Sequence, residues 1–124
     1  MDNFGFRDLR VYHNSKELVK MIYGILEKFP KKEQYALSDQ LRRACVSVPS
    51  NIAEGMSRVS DNEKVHFLEI AYGSLMEVLC QVEISEDLQY ISKDQVKMIE
   101  ELVTVIAKQL SKLRSSIITL NPKL

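Results

Sequence analysis

The chain has 124 residues, 45% of them apolar and 27% charged, with 17 basic side chains balanced by 17 acidic ones. That length suits one domain able to bury roughly 60–70% of its unfolded surface without disulfides or metal, and three Pro with four Gly exclude a collagen-like or disordered chain. No apolar run approaches ~18 residues, which excludes a membrane-spanning helix, and the neutral balance excludes a uniformly basic nucleic-acid binder.

Met1 to Asp8 contains neither a basic leader nor an apolar stretch, so the expected address is the cytoplasm. The first helix is expected over about residues 9–28, with Asp8 as N-cap and Val11, Leu18, Ile22, Ile25 and Phe29 on one face. Pro30 ends it, and a basic loop, Lys31-Lys32, follows. The second helix, about 35–58, carries Leu37, Leu41, Cys45, Val48, Ile52 and Met56 at helical spacing. Pro49 sits inside that run. A proline there lacks the N–H that would bond the Cys45 carbonyl and costs about 3 kcal/mol, so a kink and some compensating contact are expected.

Asp61 is the expected cap of a third helix over about 62–90, whose face holds Leu68, Ala71, Leu75, Leu79 and Val82. Its interior Gly73 is expected to admit another backbone, near Pro49, because an interior Gly otherwise costs roughly 1 kcal/mol. Ser92-Lys93-Asp94-Gln95 reads as a capping box opening the fourth helix, about 93–119. There Val96, Ile99, Val103, Ile106, Leu110, Leu113, Ile117 and Leu120 recur every three or four residues, and Leu102, Val105 and Ile118 widen the stripe. No segment alternates like a strand, and the joining segments are short. The expected fold is all-α, a single domain over 1–124: an antiparallel up-down-up-down four-helix bundle with its second helix kinked at Pro49. Cys45 and Cys80 lie far apart on apolar stripes and read as buried free thiols.

Charge is unevenly placed. Residues 1–60 carry ten Lys/Arg and seven Asp/Glu, 61–101 carry three and ten, and 102–124 carry four and none. An acidic middle between basic flanks favours attraction between elements or between subunits.

Three blocks carry a family resemblance: Phe6-Arg7-Asp8-Leu9-Arg10-Val11-Tyr12, then residues 41–55 from Leu41 through Val48-Pro49-Ser50-Asn51 to Gly55, then Phe67-Leu68-Glu69-Ile70-Ala71-Tyr72-Gly73-Ser74-Leu75. Together they resemble the signature of the four-helix-bundle proteins of the 23S rRNA intervening-sequence family, bacterial proteins often encoded within insertions in 23S ribosomal RNA genes. The resemblance implies a homopentameric ring. A distant relative, the accessory protein of diversity-generating retroelements, is strongly basic and binds nucleic acid. The neutral charge here sets this chain apart from it.

Arg43, Ser47, Pro49, Ser50, Asn51, Glu54 and Arg58 are the candidate oligomer or partner surface, since the polar members recur at successive turns and Glu54 and Arg58 form an i,i+4 pair. Asn51 and Ser47 are expected to bond backbone freed by the proline. Arg7, Arg10, Lys31, Lys32, Arg42, Arg43 and Arg58 are candidate nucleic-acid contacts, because phosphate neutralisation needs converging cations and ring symmetry would multiply a weak patch. No cofactor or metal is expected: Glu63 and His66 match one Glu-x-x-His unit of di-iron bundles, but no second unit follows. The expected function is a non-enzymatic homo-oligomeric assembly or adaptor module contacting RNA or a ribonucleoprotein. The alternative is a helical ribonuclease with His13 as general base and Arg7 stabilising the phosphorane.

Overall fold

A computed structural model describes residues 4–120. A 3-10 turn, Gly5–Asp8, leads into α1 (Arg10–Leu26), and a second 3-10 turn, Lys31–Glu33, precedes α2 (Leu37–Met56); α3 (Asp61–Asp87) and α4 (Lys93–Leu120) complete four helices, with no strand among the described residues. Each helix packs on the next in sequence, and α4 returns to α1. Residue numbers rise along α2 as they fall along α3: Gln40 meets Gln81, Ser47 meets Ser74 and Gly55 meets Phe67. Asn14 donates to Gln109 and Arg114 donates to Glu69, tying α4 to α1 and to α3.

The core follows the apolar spacing. Val11, Leu18 and Ile22 of α1 meet Leu41, Cys45, Val48 and Ile52 of α2, Leu68, Leu75 and Val82 of α3, and Val96, Ile99, Val103, Ile106 and Leu110 of α4. The α4 seam leaves the core beyond Leu110: Leu113 and Ile117 are half-buried and Leu120 is exposed, since the helix outruns its neighbours. Hydroxyls buried in this core are bonded locally, Ser15 to the Val11 carbonyl at 2.6 Å and Ser85 to that of Gln81 at 2.8 Å. These back-bonds remove the cost of an orphan polar group.

Several helix ends depart from expectation. Asp8 closes the 3-10 turn instead of capping α1; extended Leu9 occupies the N-cap, where its apolar side chain can accept no capping bond. Ser60, not Asp61, caps α3, its Oγ accepting from the Glu63 N–H at 3.4 Å, which leaves Asp61 in the first turn where its charge favours the helix dipole. The capping box is present: the Gln95 N–H donates to Ser92 Oγ at 3.2 Å and the Ser92 N–H to Gln95 Oε1 at 2.9 Å.

α3 stops at Asp87, earlier than its apolar pattern implies, through a Schellman closure. The Tyr90 N–H reaches the Ser85 carbonyl at 2.9 Å and the Gln89 N–H reaches that of Glu86 at 2.8 Å. The left-handed residue of that closure is Gln89, with φ 65°. A glutamine side chain is costly in that region and glycine is not. Gln89→Gly should therefore stabilise the fold by about 0.5–1 kcal/mol, read as a raised midpoint in urea; a lowered midpoint would mean that the Gln89 side chain holds the corner.

That corner is also tied across the bundle. Tyr90 donates its phenol to Glu33 Oε2 at 2.7 Å and stacks tilted on Phe29 at 5.2 Å. The carboxylate as acceptor, with some desolvation, pushes the Tyr90 phenol above its ordinary pKa.

Candidate interaction surface

α2 carries the candidate surface, and the structure divides it between two grooves and the helix end. Toward α3, Ser47 Oγ lies 2.8 Å from Ser74 Oγ, and the Asn51 amide donates to Ser47 Oγ at 2.9 Å and to the Ser47 carbonyl at 2.8 Å. Short hydroxyl side chains are what a close crossing of α2 and α3 requires, and the hydroxyl pair satisfies both polar groups within it. The amide therefore serves the Ser47 carbonyl and not the Cys45 carbonyl that Pro49 leaves without a helical donor, which corrects the expected role of Asn51. Deeper in this groove, of about 400 Å³, Gln81 Nε2 donates to Gln40 Oε1 at 3.2 Å while buried Gln81 Oε1 has no donor among the described residues. Replacing Ser74 by Ala should cost about 1 kcal/mol, because Ser47 then loses its cross-helix partner; a double-mutant cycle with Ser47→Ala read by urea denaturation isolates that coupling.

Toward α1, Pro49 and Ser50 face a different groove. α2 runs through Pro49 as one continuous helix, and the ring is buried. Around it Tyr12, Val19, Val46 and Ala53 line a groove of about 530 Å³, with Lys16 and Lys20 on its rim. Phe6 closes one end by an edge-to-face contact with Tyr12 at 5.0 Å, and the Lys16 ammonium lies 5.0 Å from the Tyr12 ring centre.

At the end of α2 the Glu54 carboxylate and Arg58 guanidinium pair at 3.4 Å, partly exposed, and Arg58 lies 4.8 Å over the Phe67 ring. Lys64 Nζ donates to the Arg58 carbonyl, closing the α2–α3 connection. Arg43 pairs outward with Asp39 at 2.9 Å, an exposed bridge of small energetic weight. Gly55 is the close-approach glycine that sequence reasoning placed elsewhere. A Cβ on Gly55 would stand 2.8 Å from Phe67 Cβ, whereas one on Gly73 would meet nothing within 4 Å. The expected backbone contact at Gly73 is therefore absent; Gly73 faces outward.

The candidate nucleic-acid residues do not converge within one chain. Arg7 and Arg10 sit at the start of α1, while Lys31 and Lys32 sit beyond its far end, about 25 Å away for 17 residues of helix. Arg42 serves the fold by donating to the Gln34 carbonyl at 2.9 Å. Arg58 belongs to the same end as Arg7, since Phe6 of that 3-10 turn shares a groove with Pro49, Ser50 and Ala53 near the end of α2. His13 and Arg7 are neighbours, the His13 Nε2 lying 2.5 Å from the Arg7 carbonyl. A carbonyl only accepts, so Nε2 is the donor in this bond. Among the described residues no helix is long and apolar enough to cross a membrane, and no group of three or more His, Cys, Asp or Glu side chains is placed to hold a metal.

The two cysteines differ. Cys45 is fully buried, and burial pushes its thiol up to about 11. Cys80 is exposed, contrary to expectation, because the apolar residues of α3 extend around more than one face. In the folded, dissociated chain iodoacetamide at pH 8 should modify one thiol, at Cys80, and both after denaturation, as counted by intact mass. The protonated Cys45 is favoured by the fold, so its contribution is complete below pH 9, the ordinary thiol value, and is lost as pH rises toward about 11.

Four packed helices around one apolar core define a small all-α bundle protein. The chain belongs to the family described as 23S rRNA-intervening sequence protein, whose family model matches residues 7–112. Among solved structures it is similar to a protein with unknown function from the S23 ribosomal protein family of Bacteroides thetaiotaomicron, at 25% identity and a TM-score of 0.75, covering 84% of this chain and 97% of that one. A comparison with curated proteins gives no match.

Proposed function

We propose that the chain is a non-enzymatic, homo-oligomeric helical bundle that acts as an assembly or adaptor module, with RNA or a ribonucleoprotein as its partner. The observation that carries the assembly reading is α3. Its inward face fills the core with Leu68, Leu75 and Val82, yet its outward face also bears Ile70 and Ile84, and exposed Leu88 follows as its C-cap. A helix apolar on both sides is normally covered on both sides. The family resemblance implies five copies.

Light scattering on the purified chain tests this directly. A mass several times 14.3 kDa supports assembly, and a single-chain mass across the micromolar range removes it. RNA contact has its own readout. Ring symmetry would repeat the end bearing Arg7, Arg10 and Arg58, so binding should fall steeply with salt; no binding at 50 mM salt would leave a protein-only adaptor.

The ribonuclease reading has one supporting contact, the pairing of His13 with the Arg7 main chain. That same bond commits one ring nitrogen to the chain's own backbone. RNA cleavage by the wild type that is lost in His13→Ala would establish this reading; equal cleavage by both proteins, or none, would end it.

A further inference from the structure

Two uncovered faces of this bundle complement each other. On α3, Ile70, Gly73, Glu77, Cys80 and Ile84 step by three and four residues along the solvent side, and all five are exposed. This stripe has two unusual properties. Its apolar members are large, with Ile70 38% and Ile84 42% exposed, while small Gly73 and Cys80 between them leave a shallow saddle. It also lacks cations: from Val65 to Ser92 the chain contains no Lys or Arg and five Asp/Glu. The charge of this face is therefore acidic only, with exposed isoleucines on either side of Glu77.

The α1–α2 groove has the opposite character. Its floor is apolar, made by Val19, Pro49, Ala53 and a Val46 that is 40% exposed, and its rim is Lys16 and Lys20. No acidic side chain is among the groove's lining residues, and Lys20 pairs on the surface with neighbouring Glu17 at 3.1 Å. An acidic, isoleucine-bearing helix suits such a groove in both shape and charge.

We propose that the α1–α2 groove of one copy receives the outward α3 stripe of a second copy, with Glu77 set against the partner copy's lysine rim. This rests on the assembly reading above and adds the identity of the two mating faces. Because groove and stripe are different patches, the contact is head-to-tail. Each copy keeps one free groove and one free stripe until the chain of contacts closes on itself. The arrangement also accounts for Pro49: a ring in place of a longer side chain keeps the groove floor shallow and apolar.

The test uses two variants of the full chain, each disabling one face at exposed positions. Val46→Glu with Lys20→Glu spoils the groove, and Glu77→Lys with Ile84→Lys spoils the stripe. Sedimentation velocity should show the wild type assembled and each variant at 14.3 kDa, with wild-type helicity by circular dichroism. Mixed in equal amounts, the two variants should form a species of at least twice that mass, since one good groove meets one good stripe and the charge-reversed faces left over do not repel each other. An unfolded variant could not restore mass on mixing. Should either double variant lose helicity, Lys20→Glu and Glu77→Lys alone provide the same pair, weakened about tenfold each in assembly and restored when mixed. An assembled wild type whose variants keep full mass, or whose mixture stays single-chain, overturns this inference while leaving assembly intact. A wild type that is itself single-chain removes the assembly reading and the inference with it.

Discussion

Gly55→Val should destabilise the chain by about 3 kcal/mol, at the upper end of the cost of forcing volume into a packed contact. Gly55 lies where α2 ends against the start of α3. A Cβ there would stand 2.8 Å from Phe67 Cβ and 3.4 Å from the Lys64 carbonyl oxygen. Neither neighbour is the far end of a flexible side chain, so the helices must separate to admit even one carbon. Separation would reach the Arg58–Phe67 stack and the Lys64 bond to the Arg58 carbonyl, which together close the connection. Valine adds two further carbons and restricts χ1 in a helix. Gly73→Ala provides the opposite case within the same fold. Its Cβ would meet nothing within 4 Å, so the helix-propensity gain of roughly 1 kcal/mol is not offset. Urea denaturation of the two variants, each in the background of Glu77→Lys with Ile84→Lys to keep contacts between copies out, should therefore move the midpoint in opposite directions. A tolerated Gly55→Val would mean that the α2–α3 crossing is loose.

The opposite behaviour of these two glycines shows which parts of the fold were legible in the residues. Helix number and the inward faces follow from periodicity, because each position every three or four residues must find apolar cover: Leu18, Val48, Leu75 and Ile106 are all buried as their spacing implies. The helix ends were less legible, since Asp8, Ser60 and Asp61 are all chemically able to cap and the choice among Ser60, Asp61 and extended Leu9 is made by how the connections pack. Gly55 and Gly73 are equivalent to a pattern reading. Only the register that sets Gly55 against Phe67 separates them. The polar residues of α2 were visible as a stripe, yet a helix with neighbours on two sides divides any stripe, so Ser47 bonds Ser74 while Pro49 and Ser50 face α1. The outward isoleucines of α3 do leave a signal in the sequence: apolar residues at every angle of the helix, with no Lys or Arg across residues 65–92.

Pro49→Ala should make the isolated chain more stable by about 1–2 kcal/mol. Restoring an N–H inside α2 gives the Cys45 carbonyl its helical donor and relieves a helix-interior cost of about 3 kcal/mol. Against this, the buried ring loses two methylene groups, roughly 0.8 kcal/mol each. The difference favours alanine, which amounts to a rise of about 4–8 °C in Tm for a domain of this size. Measurement in the background of Glu77→Lys with Ile84→Lys keeps subunit contacts out of the comparison. In the otherwise wild-type chain the same substitution should lower the assembled mass at a given concentration, because the groove floor loses the ring on which a neighbouring isoleucine rests. A sequence selected for protomer stability alone would discard this proline, so a more stable but less assembled variant is the signature of a residue kept for the contact between copies. A Pro49→Ala chain that melts earlier than its parent would instead place the ring among the elements that hold α1 on α2.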